Sequence, residues 1–370
     1  MKNLYISAIN ITYGGPLTIL EECLISASKV MPKNWKIYVF LSPSISFKIP
    51  RIKCIYINHN LKNKWMLRLY YELFYFYKFS LDNKIDLWIS LQDFTSLVKA
   101  RRQIVYFHNP AILYSKFNFF KFIKLEPRFV LFFYLFIHCY KFLVSRNYCI
   151  VVQQSIMRNF LIASGISIPI FVSPPLLKDL IIPKKSAVKE NTNQLVTFLF
   201  PLFPRVFKNV EILCEAVKIL HKKNIFNFEL ILTISPDDSK YSKFLFKEYG
   251  DLPKIRFEGT KTRKDLFKLY KSASYVVFPS KLETWGLPII EAKLFNKKLI
   301  LVDLPYARET LGNYDKVCFF KQDSPFQLSN LMQKAIDGSL KCSSNFAPKY
   351  NKSFFIPGWK PILKLLIKDL

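Results

Sequence analysis

The chain has 370 residues, of which 51% are hydrophobic and 22% charged, so it is long enough for two globular domains and is not of a disordered class. Its 55 Lys and Arg residues against 26 Asp and Glu residues give a net charge of +29, which favours nucleic acid, anionic lipid or phosphorylated small molecules as partners. Seven cysteines without Cys-x-x-Cys or paired Cys/His spacing indicate neither a disulfide framework nor a zinc site, and they fit a reducing cytosol.

Short runs of β-branched and aromatic residues alternate with helical segments along the first half of the chain. The predicted strands are Leu4–Ile9, Ile37–Leu41, Ile52–Ile57, Leu87–Ser90, Ile104–Phe107 and Cys149–Val152, with a helix over Pro16–Met31 after the first of them. Since strand residues follow Met1 at once, we expect no signal peptide. The alternation is typical of a doubly wound parallel sheet.

Two segments of this half, residues 65–79 and 117–142, are rich in aromatic residues and interrupted by basic ones. The longest uncharged stretch of the second, Phe129–Tyr140, is too short to span a bilayer. Such helices can lie at a membrane interface, with the rings buried and the lysines at the headgroups. They can equally pack on a sheet with their lysines extended to solvent. The sequence leaves both alternatives open.

The same alternation starts again after a stretch rich in Pro, Lys and polar residues. Its predicted strands are Leu195–Phe200, Phe228–Thr233, Ile255–Phe257, Tyr275–Phe278 and Lys298–Leu301, with a helix over 209–222. We therefore predict an N-terminal domain over 1–175, a linker over 176–194 and a C-terminal domain over 195–355. A terminal helix over 356–370 completes the chain, and a return of this helix to the N-terminal domain is one option.

Glu283 and Glu291 lie eight positions apart, around Gly286 and Pro288, and follow the apolar run 275–278. Pro288 suits the first turn of a helix, so Glu283 is predicted on a strand-to-helix loop and Glu291 in the first helical turn. The free N–H groups of such a turn form an anion site. A carboxylate on each side suggests an anionic ligand with hydroxyls, such as a nucleotide-sugar. Alternatively, Glu291 only compensates the helix dipole and Glu283 is a solvated loop charge.

Three further features lie at predicted strand ends. Gly14 and Gly15 form the first strand-to-helix turn, where the backbone can approach a phosphate or a sugar closely. Arg205 and Lys208 lie just before a helix and can neutralise a diphosphate, Arg as a fork and Lys as a point charge. His108 directly follows a strand, a position that suits ligand binding. Each of these features taken alone also fits an ordinary turn or surface position.

Taken together, the spaced glutamates, the basic pair, the Gly-Gly turn and the strand-end His resemble the retaining, nucleotide-sugar-dependent glycosyltransferases of family 4 (glycosyl transferases group 1). The resemblance is sharpest over residues 195–320. It implies an α/β, GT-B architecture, in which two Rossmann-like doubly wound domains face a central cleft. Trp285 departs from the family, which more often has Phe or Ser at this position, and this could alter the donor pocket.

The resemblance also assigns roles to residues. Glu283 would bond hydroxyls of the donor sugar and Glu291 those of the ribose. Arg205 and Lys208 would stabilise the departing diphosphate, and His108 would face the reacting sugar. The other donor-binding residues are Gly14 and Gly15, which face the phosphates or the acceptor, and Thr284, Trp285, Gly286 and Leu287, which offer backbone N–H groups.

No Asp-x-Asp sequence occurs, so no metal or other cofactor is expected and the nucleotide-sugar is a co-substrate. The resemblance implies transfer to a lipid-linked saccharide acceptor in bacterial surface polysaccharide synthesis, of the O-antigen or capsule type. From the basic, aromatic N-terminal half we further expect a cytoplasmic protein that is peripheral on the anionic inner membrane, with no nucleic-acid partner. A nucleotide-sugar epimerase, a basic nucleic-acid-binding protein and an inactive scaffold are the alternatives.

Overall fold

The computed structural model describes residues 1–59, 61, 64–109, 124–125, 142–176, 195–342 and 353–370. The chain divides into two compact units, each of which contains one sheet. The first unit includes the described residues within 1–109, 142–176 and 353–370, and the second includes residues 195–342. Almost all of the predicted linker and of the aromatic segment 117–142 lies outside the described residues.

The first unit is built on a seven-stranded parallel sheet. Its strands are β1 (Lys2–Ala8), β2 (Trp35–Leu41), β3 (Ile52–Tyr56), β4 (Leu87–Ser90), β5 (Arg102–Phe107), β6 (Cys149–Val152) and β7 (Ile170–Val172). The spatial order is β3-β2-β1-β4-β5-β6-β7, so the direction of winding reverses between β1 and β4. Open parallel sheets bind ligands outside the carboxyl ends of their strands at such a reversal.

Helices pack on this sheet through apolar faces. They include α1 (Gly14–Val30), α2 (Trp65–Tyr70), α3 (Phe76–Asp82) and α4 (Ser155–Ala163). In α1 the buried Leu20, Cys23, Leu24 and Ala27 follow the spacing of one helical face. A π-helical turn over Tyr71–Tyr75 joins α2 to α3, so the predicted segment 65–79 forms one continuous, irregular helix.

The second unit has a six-stranded parallel sheet in the order β10-β9-β8-β11-β12-β13. Its strands are β8 (Val196–Phe200), β9 (Phe228–Leu232), β10 (Ile255–Phe257), β11 (Tyr275–Phe278), β12 (Lys298–Val302) and β13 (Val317–Phe320). Winding reverses between β8 and β11, which are the two strands that precede the predicted basic pair and the predicted glutamates. The α/β fold class with two doubly wound sheets is confirmed.

Helices of the second unit connect these strands. They are α5 (Val210–Lys222), α6 (Lys240–Tyr249), α7 (Arg263–Ser272), α8 (Leu287–Leu294), α9 (Pro305–Leu311) and α10 (Pro325–Ile336). The helices α8 and α9 matter most for the site, because α8 follows the loop that carries Glu283 and α9 packs beside α8.

The terminal helix α11 (Trp359–Ile367) packs against α1 and belongs to the first unit. Its inward face buries Trp359, Ile362, Leu363 and Leu366. Phe355 pairs with Val172 at the end of β7, so residues 353–355 also belong to this unit. Residues 353–355 and α11 thus lie in one compact unit with β1 to β7.

Candidate functional site

The residues of the second unit that were predicted to bind the sugar donor lie mainly on the loops that follow β8 and β11. Hydrogen bonds connect these two loops. The N–H of Lys281 donates to the carbonyl of Phe207 at 2.8 Å. The side-chain amide of Asn209 donates to the carbonyl of Pro279 at 3.4 Å. Asn209 itself has a φ of 54°, a left-handed conformation that Asn adopts more readily than most residues. The two loops are thus held in a fixed mutual arrangement.

Lys208 and Glu283 form an ion pair between the two loops. Both side chains are largely buried, and Glu283 is 8% exposed. The Lys208 ammonium also lies 5.6 Å from the ring centroid of Phe278, at the end of β11. Arg205 lies in the same loop as Lys208, partly buried, with its guanidinium 5.5 Å from the ring centroid of Phe203. The sequence-predicted cations therefore lie at the carboxyl edge of the sheet.

Two side chains of α9 donate hydrogen bonds to the backbone of the loop that carries Glu283. The hydroxyl of Thr310 donates to the carbonyl of Trp285, and the hydroxyl of Tyr306 donates to the carbonyl of Ser280. Both donors are buried. Sequence reasoning missed Tyr306 and Thr310, because no local pattern reveals that their helix packs under this loop.

Gly286 sets the direction in which α8 leaves the loop. Its φ of 77° is left-handed, and a Cβ placed there would lie 3.3 Å from Cδ1 of Ile289. Glycine meets both requirements without strain. Thr284 is partly buried and Trp285 buried on one side of Gly286, and Leu287 begins the helix on the other. This segment places backbone N–H groups at a helix start, as the sequence predicts.

Glu291 lies in the second turn of α8, and its prediction in the first turn is wrong. The helix begins at Leu287, one residue before Pro288, which makes Glu291 the fifth helical residue. A carboxylate at that position is less well placed to compensate the helix dipole, whose effect is confined to the first turn. The interpretation of Glu291 as a simple dipole charge is correspondingly weaker.

The carboxylate of Glu291 instead accepts a hydrogen bond from the hydroxyl of Tyr270, on α7, at 2.8 Å. Burial raises the pKa of Glu291, while the Tyr270 hydrogen bond and the charge of Arg263 act against the rise. The same proximity to Glu291, together with burial, raises the pKa of Tyr270 well above its ordinary value. Glu291 is therefore held in one orientation by a neutral donor.

Gly14 and Gly15 lie in the first unit, where they open α1 two residues before the predicted start at Pro16. Gly14 has a left-handed φ of 69°. No acidic residue lies in the first turn of this helix, and Gly14 is exposed. A helix start of this kind has free N–H groups that face solvent.

His108 follows β5 and is positioned by Asp93, which sequence reasoning missed. The carboxylate of Asp93 accepts the backbone N–H groups of His108 and Asn109, the latter at 2.9 Å. Its other oxygen lies 3.5 Å from Nε2 of His108, while Nδ1 of His108 is buried and has no hydrogen-bond partner among the described residues. The signal was available, because the polar pair Gln92-Asp93 comes soon after the buried β4.

A buried polar network lies next to this pair. Gln92 accepts the backbone N–H of Asn10 at 3.0 Å and donates to the hydroxyl of Ser7 and the carboxylate of Glu72. Ser96 also donates to Glu72, which lies in the π-helical turn. Burial raises the pKa of Glu72 to about 7, against the opposing effect of these hydrogen bonds. The loops after β1 and β4 are therefore joined through the side chain of Gln92.

The described residues offer neither a cluster of metal ligands nor a helix that could span a membrane. They contain no group of three or more His, Cys, Asp or Glu side chains placed to hold a metal ion. Across the same part of the chain, every helix is too short or too polar to cross a bilayer.

Residues 182–351 match the sequence profile of the family described as "Glycosyl transferases group 1". This segment is similar to the group 1 glycosyltransferases. It contains Arg205, Lys208, Glu283 and Glu291, whereas Gly14, Gly15 and His108 lie outside it. No curated protein matches the chain significantly.

Solved structures share the fold over at least 90% of the chain, which includes most of the part outside the group 1 segment. Sucrose-phosphate synthase from Thermosynechococcus elongatus superposes with a TM-score of 0.66 at 15% identity, covering 92% of this chain and 90% of that one. WaaG, a glycosyltransferase involved in lipopolysaccharide biosynthesis, gives 0.61 at 13% identity and 90% coverage of both chains. Anabaena HepE in complex with UDP-glucose gives 0.61 at 13% identity, with 92% and 91% coverage. The chain has the GT-B fold of glycosyltransferases.

Proposed function

We propose that the chain is a retaining glycosyltransferase that moves a hexose or related sugar from a nucleotide-sugar to a saccharide acceptor. One observation carries this proposal: the buried Lys208–Glu283 pair lies at the winding reversal of the second sheet, inside the group 1 segment. Ligands of doubly wound sheets bind at that place. The donor complex of HepE, which shares the fold, supports the choice of ligand class.

The charges of the site suit a diphosphate leaving group without a metal. Arg205 and Lys208 would neutralise the charge that develops as the bond between the sugar and the phosphate breaks. The backbone N–H groups of Thr284 to Leu287 lie at the start of α8, where an anion is favoured. In the absence of donor, Glu283 balances the Lys208 charge, and a bound diphosphate would share that cation.

The carboxylates suit the hydroxyls of the donor. Glu283 would bond the sugar and Glu291, fixed by Tyr270, the ribose. In the first unit, His108 would face the reacting sugar, and the exposed turn at Gly14 and Gly15 would face the phosphates or the acceptor. Retention of configuration would follow from departure and attack on the same face of the sugar.

The experiment is a transfer assay with UDP-, GDP-, dTDP- and CMP-sugars and a saccharide acceptor, with the anomeric configuration of the product read by NMR. Glu291→Ala and Arg205→Ala should each abolish transfer while the thermal unfolding curve is kept. Glu248→Ala and Lys247→Ala, which change exposed residues of α6, are the matched controls. Full activity in either site variant would refute the proposal. Epimerised free nucleotide-sugar formed without acceptor would assign the epimerase activity instead.

We further propose that the acceptor is lipid-linked and that the protein works on the anionic cytoplasmic face of the inner membrane, in surface polysaccharide synthesis. An exposed apolar stripe along α2, the π-helical turn and α3 supports this membrane proposal. Its residues are between 37% and 65% exposed and recur at helical spacing: Trp65, Met66, Tyr70, Phe74, Tyr77 and Leu81. Interfacial helices bury such a face among lipid headgroups, and basic residues add attraction to anionic lipid.

Flotation with vesicles tests the membrane part separately. The wild type should float with phosphatidylglycerol-containing vesicles, and Trp65→Ser/Phe74→Ser should float much less. Phe326→Ser is the control, because Phe326 is 62% exposed but lies on α10 of the other unit. Equal flotation of all three proteins, or none for the wild type, would contradict the membrane proposal and leave the transfer assay unaffected.

A further inference from the structure

A cavity of about 600 Å³ opens at the amino ends of β5 and β6. It lies at the opposite edge of the first sheet from His108 and Asp93, because parallel strands share one direction and these residues follow carboxyl ends. Its volume is in the range of small-molecule sites. We call it the basic cavity; its lining includes Lys99, Arg101, Arg102, Arg146, Asn147 and Tyr148.

The basic cavity is lined by four cations and by no carboxylate side chain of the described residues. A concave surface with charges of one sign focuses its field and concentrates ions of the other sign. None of these residues belongs to the donor site proposed above. The cavity therefore requires its own explanation.

Two of the four cations have a structural role. Arg101 donates to the carbonyl of Leu370 at 2.8 Å, and Arg102 donates to those of Leu366 and Lys368 at 2.6 and 2.9 Å. These carbonyls lie at and beyond the end of α11, where cations satisfy unpaired acceptors. The Arg102 guanidinium also stacks 4.1 Å from the ring centroid of Tyr148. The helix end accounts for this pair of arginines.

Lys99 and Arg146 have no such role. Both side chains are exposed, and neither makes a side-chain hydrogen bond or ion pair with any residue that the structure describes. Lys99 is fixed through its backbone, whose N–H donates to the hydroxyl of Ser80 at 2.9 Å. Two cations thus line the cavity with their donors unused.

The side chain of Asn147 is a second, independent indication that the cavity binds a ligand. It is 4% exposed, and its amide nitrogen donates to Thr95 Oγ1 at 2.8 Å and to the carbonyl of Val144 at 2.9 Å. Its Oδ1 is buried without a hydrogen-bond partner among the described residues. Buried acceptors are almost always paired, so this oxygen calls for a donor such as a ligand hydroxyl.

We propose that the basic cavity binds a phosphate ester of a polyol, separately from the donor site. Lys99 and Arg146 contact the phosphate, with Arg101 and Arg102 adding charge from positions fixed by α11. Asn147 Oδ1 accepts a hydroxyl of the alcohol part. The same chemistry is found in a soluble sugar or glycerol phosphate and in a glycerophospholipid headgroup.

Calorimetric titration of the full chain with sn-glycerol 3-phosphate tests the site. Lys99→Gln/Arg146→Gln should weaken binding at least tenfold, whereas Lys243→Gln/Lys247→Gln, with the same loss of charge on exposed residues of α6, should leave it unchanged. Arg205→Ala should also leave it unchanged, which separates the cavity from the donor site. Equal weakening in the two double variants, or binding by Lys99→Gln/Arg146→Gln as tight as in wild type, would overturn the proposal.

Two further experiments narrow the chemical identity of the ligand. Inorganic phosphate should bind more weakly than glycerol 3-phosphate, because it lacks the alcohol part that reaches Asn147; equal affinity would contradict that role. Flotation with phosphatidylglycerol vesicles then identifies the source. If the Lys99/Arg146 variant loses flotation, the ligand is a lipid headgroup. If it floats like wild type, the ligand is a soluble phosphate ester.

Discussion

The ion pair of Lys208 and Glu283 is the residue-scale feature on which the site depends. Both charges are largely removed from water, which is costly, and their mutual attraction only offsets that cost. A buried pair is therefore weak evidence of selection for stability. We interpret it as a cation kept in place for an anionic ligand.

A double-mutant cycle separates these roles. Lys208→Met or Glu283→Gln alone should destabilise the protein, Lys208→Met by about 3 kcal/mol because it leaves a buried carboxylate unpaired. The double variant should regain most of that stability but no activity. The measurements are the free energy of unfolding in urea and the rate of sugar transfer. Activity restored together with stability would show that the pair is only structural.

The exposed pair Lys268–Asp265, on α7, is the matched control for this cycle. Breaking it should change the free energy of unfolding far less than breaking the buried pair, as for other solvated pairs.

If Glu291 binds the ribose as proposed, donor affinity should depend on pH through the ionisation of this carboxyl group. Burial already raises the pKa of Glu291, and the Tyr270 hydrogen bond lowers it because it favours the carboxylate. Tyr270→Phe should therefore raise this pKa further and move the acid limb of donor affinity to higher pH. The measurement is donor Kd or KM from pH 5 to 8.

Tyr314→Phe is the control for this pH shift, because Tyr314 donates to a backbone carbonyl, that of Lys297, and not to a carboxylate. A Tyr270→Phe profile identical to that of wild type would show that Glu291 does not hold the donor as a carboxylate.

At the scale of elements, the sequence predicted the first six strands of the first unit and the first five of the second. The strands β7 and β13 were missed. Both are short, wholly apolar runs, which periodicity alone does not distinguish from part of a buried helix. The π-helical turn between α2 and α3 was also not predicted, and its Glu72 is bound by Gln92 and Ser96, about twenty residues away in the chain.

The candidate site was predictable where a residue follows its own strand or opens its own helix. Lys208, Glu283 and His108 are of this kind. Tyr306 and Thr310 were not predictable, because they act through the packing of α9 under another loop. Pro288 lies in the first turn of α8, and the exact start at Leu287 is set by Gly286, which caps the helix in a left-handed conformation.

Glu72, in the π-helical turn, makes the free energy of unfolding depend on pH. The native pKa of Glu72 is about 7 against an ordinary 4.5, so the folded state holds a proton that the unfolded chain releases. Stability should therefore fall by about 3 kcal/mol as pH rises from the ordinary pKa through 7, and level off above it.

Glu72→Gln should abolish most of this fall, because the amide carries no charge at any pH. The measurement is the free energy of unfolding at pH 5, 6, 7 and 8. Glu258, whose pKa is lowered by Lys261 and Arg256, supplies the opposite control, since Glu258→Gln should cost stability by a nearly constant amount from pH 5 to 8, where this carboxylate is ionised in both states. An unchanged slope in Glu72→Gln would contradict this assignment.

At the scale of the whole molecule, the first unit is not continuous in sequence. The chain enters the second unit after β7 and returns to the first through residues 353–370. Leu363 lies on the inward face of α11 and is fully buried. The first unit is thus completed by the end of the chain.

Leu363→Ala should destabilise the first unit by about 2–5 kcal/mol through loss of buried methyl groups. Hydrogen exchange should accelerate in β1 to β7 and stay unchanged in β8 to β13. Leu328→Ala, at an equally buried position of α10, should give the reverse pattern. Acceleration confined to the second sheet in Leu363→Ala would contradict the placement of α11.

Protection of the second unit by a nucleotide-sugar is the most direct test of the central claim. In a thermal unfolding screen of UDP-, GDP-, dTDP- and CMP-sugars, at least one should raise the Tm of the wild type, because a ligand of the native state stabilises it. That shift should be lost in Lys208→Met/Glu283→Gln and in Glu291→Ala and be kept in Lys247→Ala. No shift with any donor, or an equal shift in all four proteins, would contradict a donor site at the Lys208–Glu283 loops.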